Sequence, residues 1–283
     1  VNCTACNFVL HSYPGSAMKF ETLTLTIEAG IATLSFNRPK KANALSFVAW
    51  KELREALEAI DANRAARVVV LRGSGAHFTA GMDLELLSAV DGSSAHRREE
   101  LRKWIIDIQD DVTAIERCRK PVIAAIHGYC LGGGVDIATA CDLRYTCDDA
   151  TFSVKEIDLA ITADVGTIQR LPRLVGEGVA RELIYTGRTF QGREAALMGL
   201  VNASYPSADA LFSEVDKIAR TIASKSPLAL RGCKESILFT RDNPIATALN
   251  HVATWNAGML DSDDFREAMA AFRDKRAARA RHR

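Results

Sequence analysis

The chain has 283 residues, 48% of them hydrophobic, and its 36 Lys plus Arg nearly cancel its 35 Asp plus Glu. That length and apolar content support one large core with an appendage, or two domains. The balanced charge excludes a global field that would draw the protein to nucleic acid or to a membrane surface, and no apolar run approaches the ~20 residues needed to cross a bilayer.

The seven cysteines are scattered, and Cys118, Cys130, Cys141, Cys147 and Cys233 lie within apolar segments. That distribution fits buried thiols in a reducing compartment, not a disulfide framework. Cys3 and Cys6 form a C-x-x-C, but no second pair or nearby histidine completes a zinc site, and no metal is expected. Residues 1–17 lack the basic start and apolar centre of a secretory signal. They are read as a disordered or appended leader, with Met18 as the natural start.

Phe20 to Ile27 alternates apolar and polar residues, and Ile31 to Phe36 returns after Glu28-Ala29-Gly30, which predicts a hairpin. Asn37-Arg38-Pro39 breaks the strand. A helix is expected over Phe47 to Ile60, with Val48, Leu53, Ala56, Leu57 and Ile60 on its apolar face. Val68 to Leu71 is wholly apolar, as in a parallel strand covered on both sides. It runs into a loop carrying Gly73, Gly75 and Gly81 that ends in Ala80-Gly81-Met82-Asp83-Leu84 at a helix start. Ser88 to Arg98 is polar and reads as a mobile segment. Leu101 to Ile115 then patterns as a helix with Trp104, Ile105, Ile108, Val112 and Ile115 on one side.

The chain is organised around Lys120 to Asp142. Val122 to Ile126 has the length and branching of a buried strand. After His127-Gly128 come three consecutive glycines, Gly132 to Gly134, and then Asp136 inside an apolar stretch. Three glycines remove every Cβ from one turn, so something approaches that backbone closely. A helix starting there points unpartnered N–H groups at the approaching group. The spacing is neither a dinucleotide fingerprint nor a P-loop, and no Gly-x-Ser-x-Gly elbow supplies a serine nucleophile. The turns at 78–84 and 128–136 each present glycines before a helix start. Together they could offer one N–H apiece to a single carbonyl oxygen.

Further strands are expected at Leu143 to Thr146 and Thr151 to Val154, a helix at Thr167 to Val175, and a brief strand near Tyr205. Helices alone follow, at 208–224, 227–239, 244–258 and 261–275, and Arg273 to Arg283 forms a basic tail read as solvated. Three carboxylates stand out by context. Asp136 follows the triple glycine, Glu156 follows a short strand, and Asp164 lies between Ala163 and Val165. An acid in apolar surroundings has its ionised form penalised, which suits it to proton transfer near neutral pH. Asp142 is read as a structural partner of Arg144, and Asp158 as a loop acid.

The stretch Ala124 to Asp136 (AAIHGYCLGGGVD), with Phe78 to Leu84 upstream and Gln169-Arg170-Leu171-Pro172 downstream, resembles the crotonase (enoyl-CoA hydratase/isomerase) superfamily. The resemblance runs from about residue 20 to 275. It implies an α/β fold, a spiral of ββα repeats over 18–207, followed by a helical trimerisation region over 208–283. The usual assembly is a hexamer of two trimers. It implies an acyl-CoA thioester substrate, no cofactor beyond that coenzyme A, and no nucleic-acid or membrane partner.

By the same resemblance the backbone N–H groups of Met82 and Gly133 form an oxyanion hole, and Ala80, Gly81, Asp83 and Leu84 complete the loop that cradles CoA. Hydratases carry glutamates where Asp136 and Glu156 stand, and a glycine where Asp164 stands. The set found here resembles the Δ3,5-Δ2,4-dienoyl-CoA isomerases of fatty-acid β-oxidation. That likeness implies that Glu156 takes the C2 proton, Asp164 protonates C6 and Asp136 supports the site's charge. The alternatives are a 2-enoyl-CoA hydratase and, remotely, an RNA-binding relative resting on the basic tail. The final Arg281-His282-Arg283 is not a Ser-Lys-Leu peroxisomal address, so a cytoplasmic setting is expected.

Overall fold

A tight turn opens the fold. β1 (Leu23–Glu28) and β2 (Ile31–Phe36) pair antiparallel, with Ala29 at φ 50° and Gly30 at φ 84° between them. Positive φ at both central residues is what a two-residue hairpin turn needs to match strand twist. The computed structural model describes residues 19–88 and 93–277. The expected leader and the last residues of the basic tail lie outside the described residues.

α1 (Phe47–Ala62) follows, capped by Ser46, and then β3 (Val68–Gly73) pairs parallel to β2. α2 (Leu84–Ser88) is a single short turn of helix, and α3 (Ala95–Arg117) is the longest helix described. β4 (Val122–Ile126), β5 (Tyr129–Leu131) and α4 (Gly133–Ala140) form the centre. They lead to β6 (Leu143–Cys147), β7 (Thr151–Ser153), α5 (Thr167–Val175) and α6 (Glu177–Thr186). β8 (Phe190–Gln191), α7 (Gly192–Leu197) and β9 (Ala203–Tyr205) complete the α/β part. The helices α8 (Ala208–Ala223), α9 (Pro227–Asp242), α10 (Ile245–Met259) and α11 (Asp263–Arg273) end the described chain.

Two sheets form, one of six strands in the order β1-β2-β3-β4-β6-β9 and one of three in the order β5-β7-β8. Successive repeats place one strand in each: β4 then β5, β6 then β7. Thr79 extends the small sheet by bridging Cys130 in parallel. This stepwise splitting of each ββα unit between two sheets winds the chain into the expected spiral.

The large sheet is covered on both faces, as all-apolar parallel strands require. Side chains alternate across it. Val69, Leu71, Val122, Ala124 and Ile126 join the main core, while Val68, Val70, Ile123 and Ala125 pack with Leu211, Val215 and Ala219 of α8. α8 therefore belongs to the sheet layer, although it falls inside the helical region expected to mediate assembly.

Several expectations shift. The first strand begins at Leu23 because Thr22 is drawn off to Glu52, whose carboxylate accepts from the Thr22 N–H (2.9 Å) and hydroxyl (2.5 Å). Val48 is exposed and Ala49 and Trp50 are buried in its place on α1. Of the expected mobile segment Ser88 to Arg98, Ser88 ends α2 and Ala95 to Arg98 begin α3. Ser94 caps that helix by accepting from the Arg97 N–H, and Glu100 pairs with His96 and Arg97 one turn on. α6 has no counterpart among the predicted elements. Cys118, Cys130, Cys141 and Cys147 are buried free thiols, whereas Cys233 is exposed. Among the described residues no helix is long and apolar enough to cross a membrane.

Candidate active site

The site lies beyond the carboxyl ends of β3 and β4, where two loops run side by side. The Thr79 N–H donates to the Tyr129 carbonyl (2.9 Å), and the Leu131 N–H donates back to the Thr79 carbonyl (3.2 Å). Asn43, fully buried, pins the first loop by donating from Nδ2 to the carbonyls of Ser74 (2.9 Å) and His77 (2.7 Å). The Thr79 hydroxyl donates to the Asn43 carbonyl (2.7 Å) and accepts from the Gly81 N–H (3.0 Å). Nothing in the local pattern around Asn43 marks this role, because the two carbonyls that its Nδ2 holds lie more than 30 residues away.

The glycines allow the loops to touch. A Cβ at Gly81, where φ is +86°, would lie 2.4 Å from the Leu131 carbonyl oxygen and 3.3 Å from the Gly133 nitrogen. At Gly133 it would meet the Trp50 ring at 2.9 Å, and at Gly134 the Thr79 methyl at 2.8 Å. Met82 is held by its neighbours: Leu45 N–H donates to the Gly81 carbonyl (2.8 Å) and Asp83 N–H to the Leu45 carbonyl (3.0 Å). In such a bridge the residue between the two bonded groups turns its own N–H the other way. Gly133 begins α4, where the first N–H groups have no intrahelical acceptor. Among the described residues neither the Met82 nor the Gly133 N–H has an acceptor, and both residues line the same cavity.

The three acids line that cavity too. Asp136, in the first turn of α4, is 1% exposed, and its Oδ1 accepts from the Thr167 N–H (2.6 Å) at the start of α5. Burial pushes its pKa up to about 6, against the pull of that hydrogen bond. Glu156 sits in a 3-10 turn, Lys155–Leu159, and among the described residues its buried Oε2 has no hydrogen-bond partner. Burial, then the negative charges of Asp136 and Asp164, push its pKa up to about 7. Burial also raises Asp164, whose carbonyl accepts from Gln109 Nε2 (2.6 Å) on α3.

The cavity measures about 810 Å³. Leu101, Trp104, Ile105 and Ile108 of α3 line it at helical spacing, so one side of one helix makes an apolar wall. Among the described residues the α3 contribution begins at Leu101. Ala80, Met82, Asp83 and Leu84 line the cavity, whereas Gly81 stands behind them against Leu131. Asp83 is already committed to Arg38 (2.9 Å). Two other acids behave structurally. Asp142 pairs with Lys234 of α9 (2.7 Å) and accepts from the Val122 N–H, while Arg144 turns to the carbonyls of Leu200 and Cys141, so the expected Asp142–Arg144 pair does not form. Asp158 pairs with Lys155 (2.8 Å).

Chemically, the arrangement offers two preorganised donors for a developing oxyanion and three carboxyls whose burial favours the protonated form. Residues 26–282 match the family described as Enoyl-CoA hydratase/isomerase. The chain is 47% identical over 265 residues to an Arabidopsis thaliana protein named "Delta(3,5)-Delta(2,4)-dienoyl-CoA isomerase, peroxisomal", covering 92% of this chain and 95% of that one. It is 40% identical over 259 residues to the human "Delta(3,5)-Delta(2,4)-dienoyl-CoA isomerase, mitochondrial", covering 89% and 79% respectively. A crystal structure of an enoyl-CoA hydratase from Bacillus anthracis superposes with a TM-score of 0.87 at 34% identity, covering 93% of this chain and all of that one.

Proposed function

This chain belongs to the enoyl-CoA hydratase/isomerase family, and we propose that it converts 3,5-dienoyl-CoA to 2,4-dienoyl-CoA. The observation that carries the reading is Asp164, a third acid lining the same cavity as Asp136, Glu156 and the Met82/Gly133 donors. Moving two conjugated double bonds by one carbon removes a proton from C2 and adds one at C6. Two acids spaced along the acyl chain are needed for that, whereas hydration works at C2 and C3 only.

Glu156 takes the C2 proton, and the electrons left behind delocalise through the two double bonds onto the thioester oxygen. The dienolate oxygen rests between the N–H groups of Met82 and Gly133, where a donor of this kind is worth roughly 3 kcal/mol. Asp164 delivers its proton to C6, and the double bonds settle at C2 and C4. Asp136, held by the Thr167 N–H, tunes the charge around both acids. The reaction moves protons only, so coenzyme A enters as part of the substrate and no separate cofactor is called for.

We also place the protein in a homo-oligomer, a trimer or a hexamer, because α10 exposes Ile245 (73%) and Leu249 (62%) one turn apart. Its buried free thiols support the cytoplasm as its location. The relatives named peroxisomal and mitochondrial make an organelle the alternative that cell fractionation would decide.

The deciding experiment compares 3,5-dienoyl-CoA isomerisation with 2-enoyl-CoA hydration on one preparation, followed by ultraviolet absorbance. Fast appearance of the conjugated 2,4-dienoyl thioester with weak hydration is expected. Fast hydration without dienoyl turnover would replace the isomerase reading by a hydratase.

A further inference from the structure

Resting on the isomerase reading, we propose that Arg170, held by Glu116, is a positioning residue that sets Asp136 and Asp164 through the segment 164–167. Arg170 lies one turn into α5 and lines a second cavity of about 360 Å³ that Asp164 also borders. Its side chain is 12% exposed, as is that of Glu116. Nη1 donates to the Val165 carbonyl (3.4 Å), and Nη2 donates to Glu116 Oε2 (3.0 Å) and to the Thr113 hydroxyl (3.3 Å) on α3. Its backbone N–H donates to the Gly166 carbonyl (3.0 Å).

The guanidinium lies directly over Gly166. That residue has φ +130°, and a Cβ there would sit 1.8 Å from Nη1. A glycine is thus required twice, for its backbone and for the room Arg170 occupies. Arg241 of α9 closes on the other oxygen of Glu116. Burial works against ionisation of Glu116, but the two guanidiniums hold its carboxyl below the usual range.

The result is one chain of contacts. α3 holds the Asp164 carbonyl through Gln109 and the Val165 carbonyl through Glu116 and Arg170. Two residues further on, the Thr167 N–H holds Asp136. Among the described residues no hydrogen bond or ion pair of Arg170 reaches Glu156 or the Met82 and Gly133 donors, so C2 deprotonation depends on it only indirectly, through the charge of Asp136. C6 protonation depends on it directly, because a displacement of about 1 Å at a proton donor can cost roughly 100-fold.

The test uses Arg170→Met, Arg170→Lys and the isosteric Glu116→Gln in the full chain. Each is incubated with 3,5-dienoyl-CoA in D2O. Formation of 2,4-dienoyl product is followed by absorbance, and deuterium at C2 of recovered substrate by mass spectrometry. The proposal expects isomerisation to fall about 10- to 100-fold in Arg170→Met and Glu116→Gln while C2 exchange stays within about threefold of wild type. Arg170→Lys, a point charge without the fork, recovers part of the loss. An unchanged ratio of exchange to isomerisation in both Arg170→Met and Glu116→Gln overturns it, whether the two rates fall together or neither falls. Wild-type protein that exchanges C2 but forms no 2,4-dienoyl product overturns the isomerase reading itself, and the proposal with it.

Discussion

Asp164 is the acid on which the proposed isomerase reading turns, and burial raises its pKa, the direction a proton donor requires. Glu156 must be ionised to accept the C2 proton, so kcat/KM should rise as pH passes through about 7. Asp164 must carry a proton, so activity should fall as it ionises, giving a bell whose limbs belong to the coupled acids jointly. Replacing Asp164 by Asn removes the donor and should lower isomerisation by about 10²–10⁴ while CoA-ester affinity stays close to wild type. C2 exchange, which uses Glu156 and not the Asp164 proton, should persist in this variant, measured as deuterium uptake into recovered substrate.

The proposed oxyanion hole depends on two loops held together, not on any single residue. Gly81 is one of their close contacts, and Gly81→Ala meets both a positive φ and the Leu131 carbonyl at 2.4 Å. The loops would have to part, moving Met82 relative to Gly133. Turnover should fall by about 10²–10³, the cost of losing one oxyanion donor. Circular dichroism and thermal melting would show a folded protein, because the strain sits in an irregular loop outside the sheet. Full activity in Gly81→Ala would place the hole elsewhere. α3 serves the same site from the other side, giving apolar wall residues to the cavity and polar anchors to segment 164–167.

The C-terminal helices divide their labour. α8 closes one face of the large sheet. α9 reaches back through Lys234, which donates to the carbonyls of Ile115 (3.0 Å) and Lys120 (3.2 Å) as well as to Asp142. α10 and α11 leave large apolar side chains in water, Ile245, Leu249 and Phe272 (82% exposed) among them. An exposed row of this kind fits a contact between subunits. Sedimentation should therefore find a species several times the 30.8 kDa chain mass. Leu249→Asp, which buries a charge in the contact, should shift it to the monomer. A wild-type monomer would show that this face covers nothing.

Much of this architecture was legible in the residues because its signals are local. Alternation marked β1 and β2, and unbroken apolar runs marked β3 and β4. The two glycine loops marked where backbone must come close. The acids were legible as types: a carboxylate in an apolar run is anomalous wherever it lies. What tertiary structure decided were the pairings between distant residues, which leave no period in the chain. It chose Lys234, 92 residues away, as the partner of Asp142 in place of nearby Arg144. It made Asn43 the anchor of the first loop and Arg170 the link between α3 and the acids. It also assigned α8 to the sheet. Above all it raised Glu156 to about 7 and Asp136 to about 6. A carboxyl's readiness to hold a proton depends on how completely water is excluded around it, and only the assembled fold determines that.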